Sequence, residues 1–320
     1  MVLAAEPALF LNPSTYRFGT VSLTLYTFIG ALEQGFVYGL MALGVYLTFR
    51  VLDFPDLTVD GSLPLGAAVC AAIISAGGNP YVSLAAAFVA GMAAGAFTGI
   101  ISTKLRILHL LAGILTMIAL YSINIRIMGA PNLTLLNMPT VFESFQGWGL
   151  PFFVVPMLFG LVTVAIVKIL LDLFLHTNFG LALRATGDNP AMVTSQGVNT
   201  HNAIIIGVAL SNGLVALSGA LLAQSQGGAD VGMGVGTIIA GLASVIIGEA
   251  FLGEGSVFLC TLGVLVGSVV YRLAIAAALS FRFGELTLTP SDLNLMTAAL
   301  VIAALTFPKI RQKWKRRAVE

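Results

Sequence analysis

Apolar runs long enough to cross a bilayer recur along this chain from near residue 21 to near residue 307. A helix rising about 1.5 Å per residue needs about 20 such residues to span the hydrocarbon. Backbone in hydrocarbon must also satisfy its own hydrogen bonds, which leaves helices or closed barrels. Runs near residues 21–49, 80–101, 111–128, 151–175, 203–224, 257–279 and 291–307 approach or exceed that length. Two shorter ones, near 63–77 and 237–251, are interrupted by glycine or flanked by polar residues. The expected fold is therefore all-α, a polytopic transmembrane helix bundle of about nine spans, or eight plus a re-entrant segment, with broken helices. Composition removes the soluble alternative, because 58% hydrophobic and 9% charged residues cannot coat a water-facing surface over 320 residues. The 35 glycines, in patterns such as Gly91 and Gly95, allow helices to approach closely where no hydrophobic force drives them together.

Lysine and arginine set the expected orientation. With the C-terminus inside, Arg50, Lys104, Arg106, Lys168, Arg184 and the six basic residues of the tail share the inner side. Arg17, Arg126, Arg272 and Arg282 fall outside, so the bias is eleven to four. The expected organisation is an extracytoplasmic N-terminus over 1–20, a membrane domain over 21–307 and a basic cytoplasmic tail over 308–320 that anchors at membrane lipid. A net charge of +1 gives no footprint for nucleic acid.

Two interruptions constrain function more than the spans do. Asp53-Phe54-Pro55-Asp56-Leu57-Thr58-Val59-Asp60-Gly61-Ser62 cannot continue a helix through hydrocarbon, yet apolar residues flank it closely. Broken backbone at membrane depth is tolerated inside protein or beside a water-filled cavity. Gly248-Glu249 to Ser256 interrupts the second half in a similar way. Paired breaks point to a transport pathway built from an internal repeat; as plain cytoplasmic turns they would not. Polar groups inside spans add Glu33, Asn124 and Asn212. A carboxylate in a span faces the bundle interior or a cavity, so Glu33 is a candidate for substrate contact or proton coupling, or else bonds a neighbouring helix. Asn124 and Asn212 are expected to bond between helices. The candidate pathway residues are Glu33, Asp53, Asp56, Asp60 and Asn212.

The chain carries no phosphate-binding Gly-x-x-x-x-Gly-Lys-Ser/Thr loop and no Gly-x-Ser-x-Gly nucleophile turn. His109, His176 and His201 lack a second ligand at helical spacing, and Cys70 and Cys260 lie in apolar stretches, so no metal site or cofactor is expected. A transport subunit without its own ATPase is the expectation, and an enzyme the weakest class.

The longest inner connection, 176–202, contains Gly180, Arg184, Ala185, Gly187, Asp188, Asn189 and Pro190 and ends in Gly197-Val198-Asn199. Asn189 followed by Pro190 reads as the cap and first residue of a short helix, which Gly197 terminates. The Gly-x-x-x-Arg-Ala-x-Gly-x-Asn-Pro run, followed by the small-residue helix 211–223, resembles the permease subunits of bacterial ABC importers of the branched-chain amino acid and ribose type. The resemblance covers about residues 30–305 and takes in Gly39 to Gly44, the 53–66 break and the 243–255 stretch. The sequence around Phe54 to Ser62 looks most like a subgroup associated with tryptophan/tyrosine uptake.

That resemblance implies a permease in a bacterial cytoplasmic membrane, moving a small polar solute inward by alternating access. The solute would be an amino acid, and an aromatic one by the subgroup. It also implies a separate cytoplasmic ABC ATPase, an extracytoplasmic solute-binding protein and a homodimer. Gly180, Arg184, Asp188, Asn189, Pro190 and Gly197 would form the coupling loop facing the ATPase. The rival readings are an ion-coupled secondary transporter with Glu33 titrating, and a non-transporting membrane scaffold.

Overall fold

The computed structural model describes residues 16–148, 151, 154–253 and 255–280, with Ala298, Ile302 and Thr306; of 16–25, 146–148 and 278–280 it describes the backbone alone. Ten helices are described: α1 (Tyr16–Tyr46), α2 (Val59–Ser75), α3 (Pro80–Lys104), α4 (His109–Met128), α5 (Val155–His176), α6 (Asn178–Asp188), α7 (Pro190–Ser195), α8 (Thr200–Gln226), α9 (Thr237–Leu252) and α10 (Val257–Ser280). Among the described residues, seven segments are long and apolar enough to cross a membrane, and α2 is a shorter apolar helix. The expected span at 291–307 and the ends at 1–15 and 308–320 lie outside the described residues apart from Ala298, Ile302 and Thr306.

α8 is the hub, with 72% of its membrane-length window buried against 28% for α4 at the periphery. Its surface of Ser211, Gly213, Ala216, Ser218, Gly219 and Ala220 lets three helices close onto it. A β-carbon on Gly66 of α2 would overlap the Ala216 backbone, and one on Gly91 of α3 would overlap Asn212 and Ala216. Serines then bond across the seam to α1, with Ser211 Oγ donating to the Gly44 carbonyl at 2.7 Å and Ser218 Oγ to the Val37 carbonyl at 2.8 Å. Such bonds need the backbone contact that only small residues permit.

Both breaks are visible, and the second is not where the sequence reading put it. α1 runs into a π-helical turn, Leu47–Val51, after which Asp53 takes φ 50° and the chain stays irregular to Thr58. α2 therefore starts at Val59, earlier than expected, and Asp60 sits in its first turn. Ser62 Oγ donates to Asn212 Oδ1 at 2.7 Å, which sets the start of α2 level with the middle of α8. In the other half, α8 ends at Gly227, and β2 (Gly228–Asp230) pairs antiparallel with β1 (Asn132–Thr134). A 3-10 turn, Val231–Gly234, then folds back into the bundle, and α9 begins beside Asp60. The counterpart of the 53–62 break is thus 227–236. The 248–256 stretch is a turn between α9 and α10, with Glu249 still helical, Gly253 at φ 77° and Glu254 outside the described residues.

The 176–202 connection holds two helices where the sequence reading had one. Thr177 caps α6 by accepting the Gly180 N–H at 3.1 Å, so Gly180 is helical. Asn189 caps α7 by accepting the Met192 N–H at 3.0 Å, with Pro190 as its first residue. Gly197 takes φ 86°, a left-handed turn that glycine adopts without strain, and Asn199 caps α8.

Candidate functional site

Asp60 joins the two short helices. Its Oδ1 accepts the Ile238 N–H at 2.8 Å and the Thr237 hydroxyl at 3.0 Å, and its Oδ2 accepts the Gly236 N–H at 3.1 Å. The carboxylate thereby satisfies donors at the start of α9, where the helix dipole favours negative charge. Beside it lies a cavity of about 430 Å³ lined by Asp60, Gly61, Pro64, Met117, Ile118, Tyr121, Ser122, Asn124, Val231, Gly232 and Val235. Asn124 Nδ2 donates to the Gly61 carbonyl at 3.3 Å, while its buried Oδ1 has no hydrogen-bond partner among the described residues.

The other expected pathway residues separate into three places. Asp56 and Asn212 meet in the interior, each with no solvent exposure, and Asn212 Nδ2 donates to Asp56 Oδ2 at 2.6 Å. Asp56 Oδ1 also accepts the Thr58 N–H at 2.9 Å. This pair fastens the irregular segment to the hub helix. Asp53 is exposed and lines a second cavity, of about 700 Å³, with Tyr46, Arg50, Leu181, Arg184 and Asp188. Glu33 lies half-buried midway along α1, bonded to Ser225 of α8. Asp60 and Asn124 therefore share a cavity, and Glu33 and Asp53 do not join them.

Of the residues expected in the coupling loop, Gly180 is buried against Phe174 and Leu175, and the others lie at the end of the bundle. Arg184, Asp188, Asn189 and Pro190 are exposed there. The opposite side of α6 is seated on the end of α1: a β-carbon on Gly187 would overlap the Val51 carbonyl, and Leu52 and Leu183 bracket Gly207 of α8. Arg50 Nε also pairs with Glu249 of α9 at 2.8 Å, linking the π-helical turn to the second half. Sequence reasoning missed Glu249 as a partner of Arg50 and Thr237 as a partner of Asp60. No local pattern joins residues 177 positions apart.

The buried pair on α5 was also unanticipated. Lys168 Nζ lies 2.5 Å from Asp172 Oδ2 and 3.5 Å from the Phe258 ring centroid, and the Thr261 hydroxyl donates to Asp172 Oδ1 at 2.7 Å. It fixes α5 to α10. Among the described residues, no group of three or more His, Cys, Asp or Glu side chains could hold a metal ion.

A helical membrane bundle in which two short helices start inside the protein and run to opposite ends has the architecture of a transport protein. Residues 27–306 match the family described as "Branched-chain amino acid transport system / permease component", and the chain belongs to that family. It is 42% identical, over 87% of its length and 90% of the relative's, to the tyrosine transport system permease protein of Clostridioides difficile (strain R20291). It is 31% identical to the ribose import permease protein RbsC of Escherichia coli (strain K12), over 61% of this chain and 60% of that one. It is 26% identical to the probable branched-chain amino acid transport permease protein LivH of Methanocaldococcus jannaschii, over 60% of this chain and 65% of that one.

Proposed function

We propose that this chain is the permease of an ABC importer in a bacterial cytoplasmic membrane, that it carries an aromatic amino acid inward, and that a separate ATPase drives it. The observation that carries the reading is the seat of α6 on the end of α1, continuous with the break that leads to Asp56 and Asp60. A push on the exposed face of α6 and α7 travels through Val51 and Leu52 into the irregular segment and so to the junction of α2 and α9. Rigid helices joined by such a segment rock between two packed states, the basis of alternating access. The aromatic substrate is supported by the 42% identity to a tyrosine transport permease.

A homodimer and an extracytoplasmic binding protein complete the proposal. The cavity beside Asp60 adjoins exposed Ile118, Tyr121 and Val235. A carboxylate facing hydrocarbon there would be costly, so a second copy covers that side and the path runs between the two. An ion-coupled carrier is not favoured, because Glu33 is not among the described residues lining the cavity beside Asp60 and a carrier has no need of the α6–α7 face.

The test is affinity purification from native membranes in mild detergent. An ABC-type ATPase should co-purify at near-equal amount and be lost when Arg184→Glu and Asp188→Lys are combined, with permease abundance unchanged. Recovery of the chain alone, under conditions that preserve a known importer, would sink the proposal.

A further inference from the structure

We infer that the cavity beside Asp60 is a subsite for the ammonium group of an amine-bearing solute, with Asn124 Oδ1 and Asp60 Oδ2 as its acceptors. The inference rests on the permease reading above and deepens it by giving the substrate's polar end a place. Four polar side chains line the cavity: Asp60, Tyr121, Ser122 and Asn124. Their donors are mostly spent or uncharged. Asn124 Nδ2 gives one N–H to the Gly61 carbonyl, the lining Gly232 N–H is taken by Asp230, and among the described residues no lysine, arginine or histidine lines the space.

The acceptors are not spent. Asn124 is 1% exposed, and its Oδ1 has no partner among the described residues. Bonding between helices accounts for the nitrogen of that amide and leaves its oxygen unexplained, although a buried acceptor without a donor is unfavourable. Asp60 Oδ1 accepts two bonds and Oδ2 accepts the Gly236 N–H, which holds the carboxylate at the cavity edge. A free amide acceptor beside a carboxylate selects a cationic donor group. The remaining wall, Met117, Ile118, Pro64, Val231 and Val235, is apolar, and a volume of about 430 Å³ falls in the range of small-molecule sites. An amine at one end and an apolar or aromatic body fit this lining.

The charge preference is measurable without knowing the substrate. In full-length permease carrying Cys70→Ser and Cys260→Ala, Ser122→Cys places one thiol on the cavity wall. Relative to their rates with free 2-mercaptoethanol, the cationic thiosulfonate MTSET should modify it at least about tenfold faster than the anionic MTSES. Asn124→Leu should shrink that ratio, and the near-isosteric Asn124→Asp should enlarge it, which keeps the test usable if the leucine variant fails to fold. Tyramine should slow MTSET, while 3-(4-hydroxyphenyl)propionate, which lacks the amine, should not.

Equal rates, faster MTSES, no reaction with either reagent, a ratio indifferent to both Asn124 variants, or protection by the acid as strong as by the amine would each overturn the assignment. L-Tyrosine uptake by cells carrying the whole system separates the two claims. No uptake with the charge preference intact removes tyrosine as the solute and keeps the subsite. Uptake without the preference does the reverse.

Discussion

Asp56 has no solvent exposure, and its carboxylate is held by one backbone donor and by the amide of a residue 156 positions away. Removing that amide leaves a buried charge short of a donor, which costs about 3 kcal/mol. Asn212→Leu should therefore lower the unfolding temperature of the detergent-solubilised protein clearly, and Asn212→Asp combined with Asp56→Asn should recover part of the loss. A leucine variant that melts with the wild type would show that Asp56 does not depend on this bond. The two kinds of polar residue differ in how legible they are. Asn189, Pro190 and Gly197 could be assigned because a cap bonds its own neighbours, as Asn189 does with Met192. The same logic fails for Asp56 and Asn212, whose roles exist only once two distant segments pack. Gly197→Ala tests the local case: at φ 86° the β-carbon should cost about 1 kcal/mol and loosen the α7–α8 turn, seen as faster amide exchange around 196–199.

At the scale of elements, α6 carries the connection between the bundle end and the first break. Its existence was hidden from a reading by composition, since glycines at 180 and 187 weaken the helical signal. Both glycines instead mark close approach, Gly180 to Phe174 and Leu175 and Gly187 to Val51 and Leu52. Replacing Gly187 by valine should lift α6 from its seat. The expected result is a correctly inserted permease whose ATPase still binds but whose uptake falls at least about tenfold, a loss of about 1.4 kcal/mol in coupling. Full uptake by Gly187→Val would show that the contact transmits nothing. The π-helical turn below that seat adds one residue per turn to the end of α1, a device that recurs at functional sites. It ends α1 short of the Asp53–Thr58 segment without a proline inside the helix.

At the scale of the molecule, α1, the first break and α2 run against α8, the second break and α9, with Asp60 at the crossing. The bundle has two ends: one carries α6 and α7, and the other carries β1, β2 and the turn at Leu136. Leu136 and Met192 are exposed at these opposite ends. In a background without Cys70 and Cys260, an impermeant maleimide should label Leu136→Cys on intact cells and Met192→Cys only after permeabilisation. The reverse pattern would invert the orientation drawn from the basic residues, and labelling of both from one side would contradict the fold. From the sequence alone came the membrane class, the helical makeup, the first break and the capped turn at 189–197, because apolar length, breaker residues and caps act within a single element. The partner of that first break was decided only in three dimensions. Its true counterpart at 227–236 carries fewer charges than the 248–256 turn and so looked less like an interruption. What marks it is the meeting of the Gly236 and Ile238 N–H groups with a carboxylate on another helix. That meeting depends on Gly234 letting the turn before α9 close onto the Asp60 carbonyl and Pro64 of α2, a contact that no local pattern encodes.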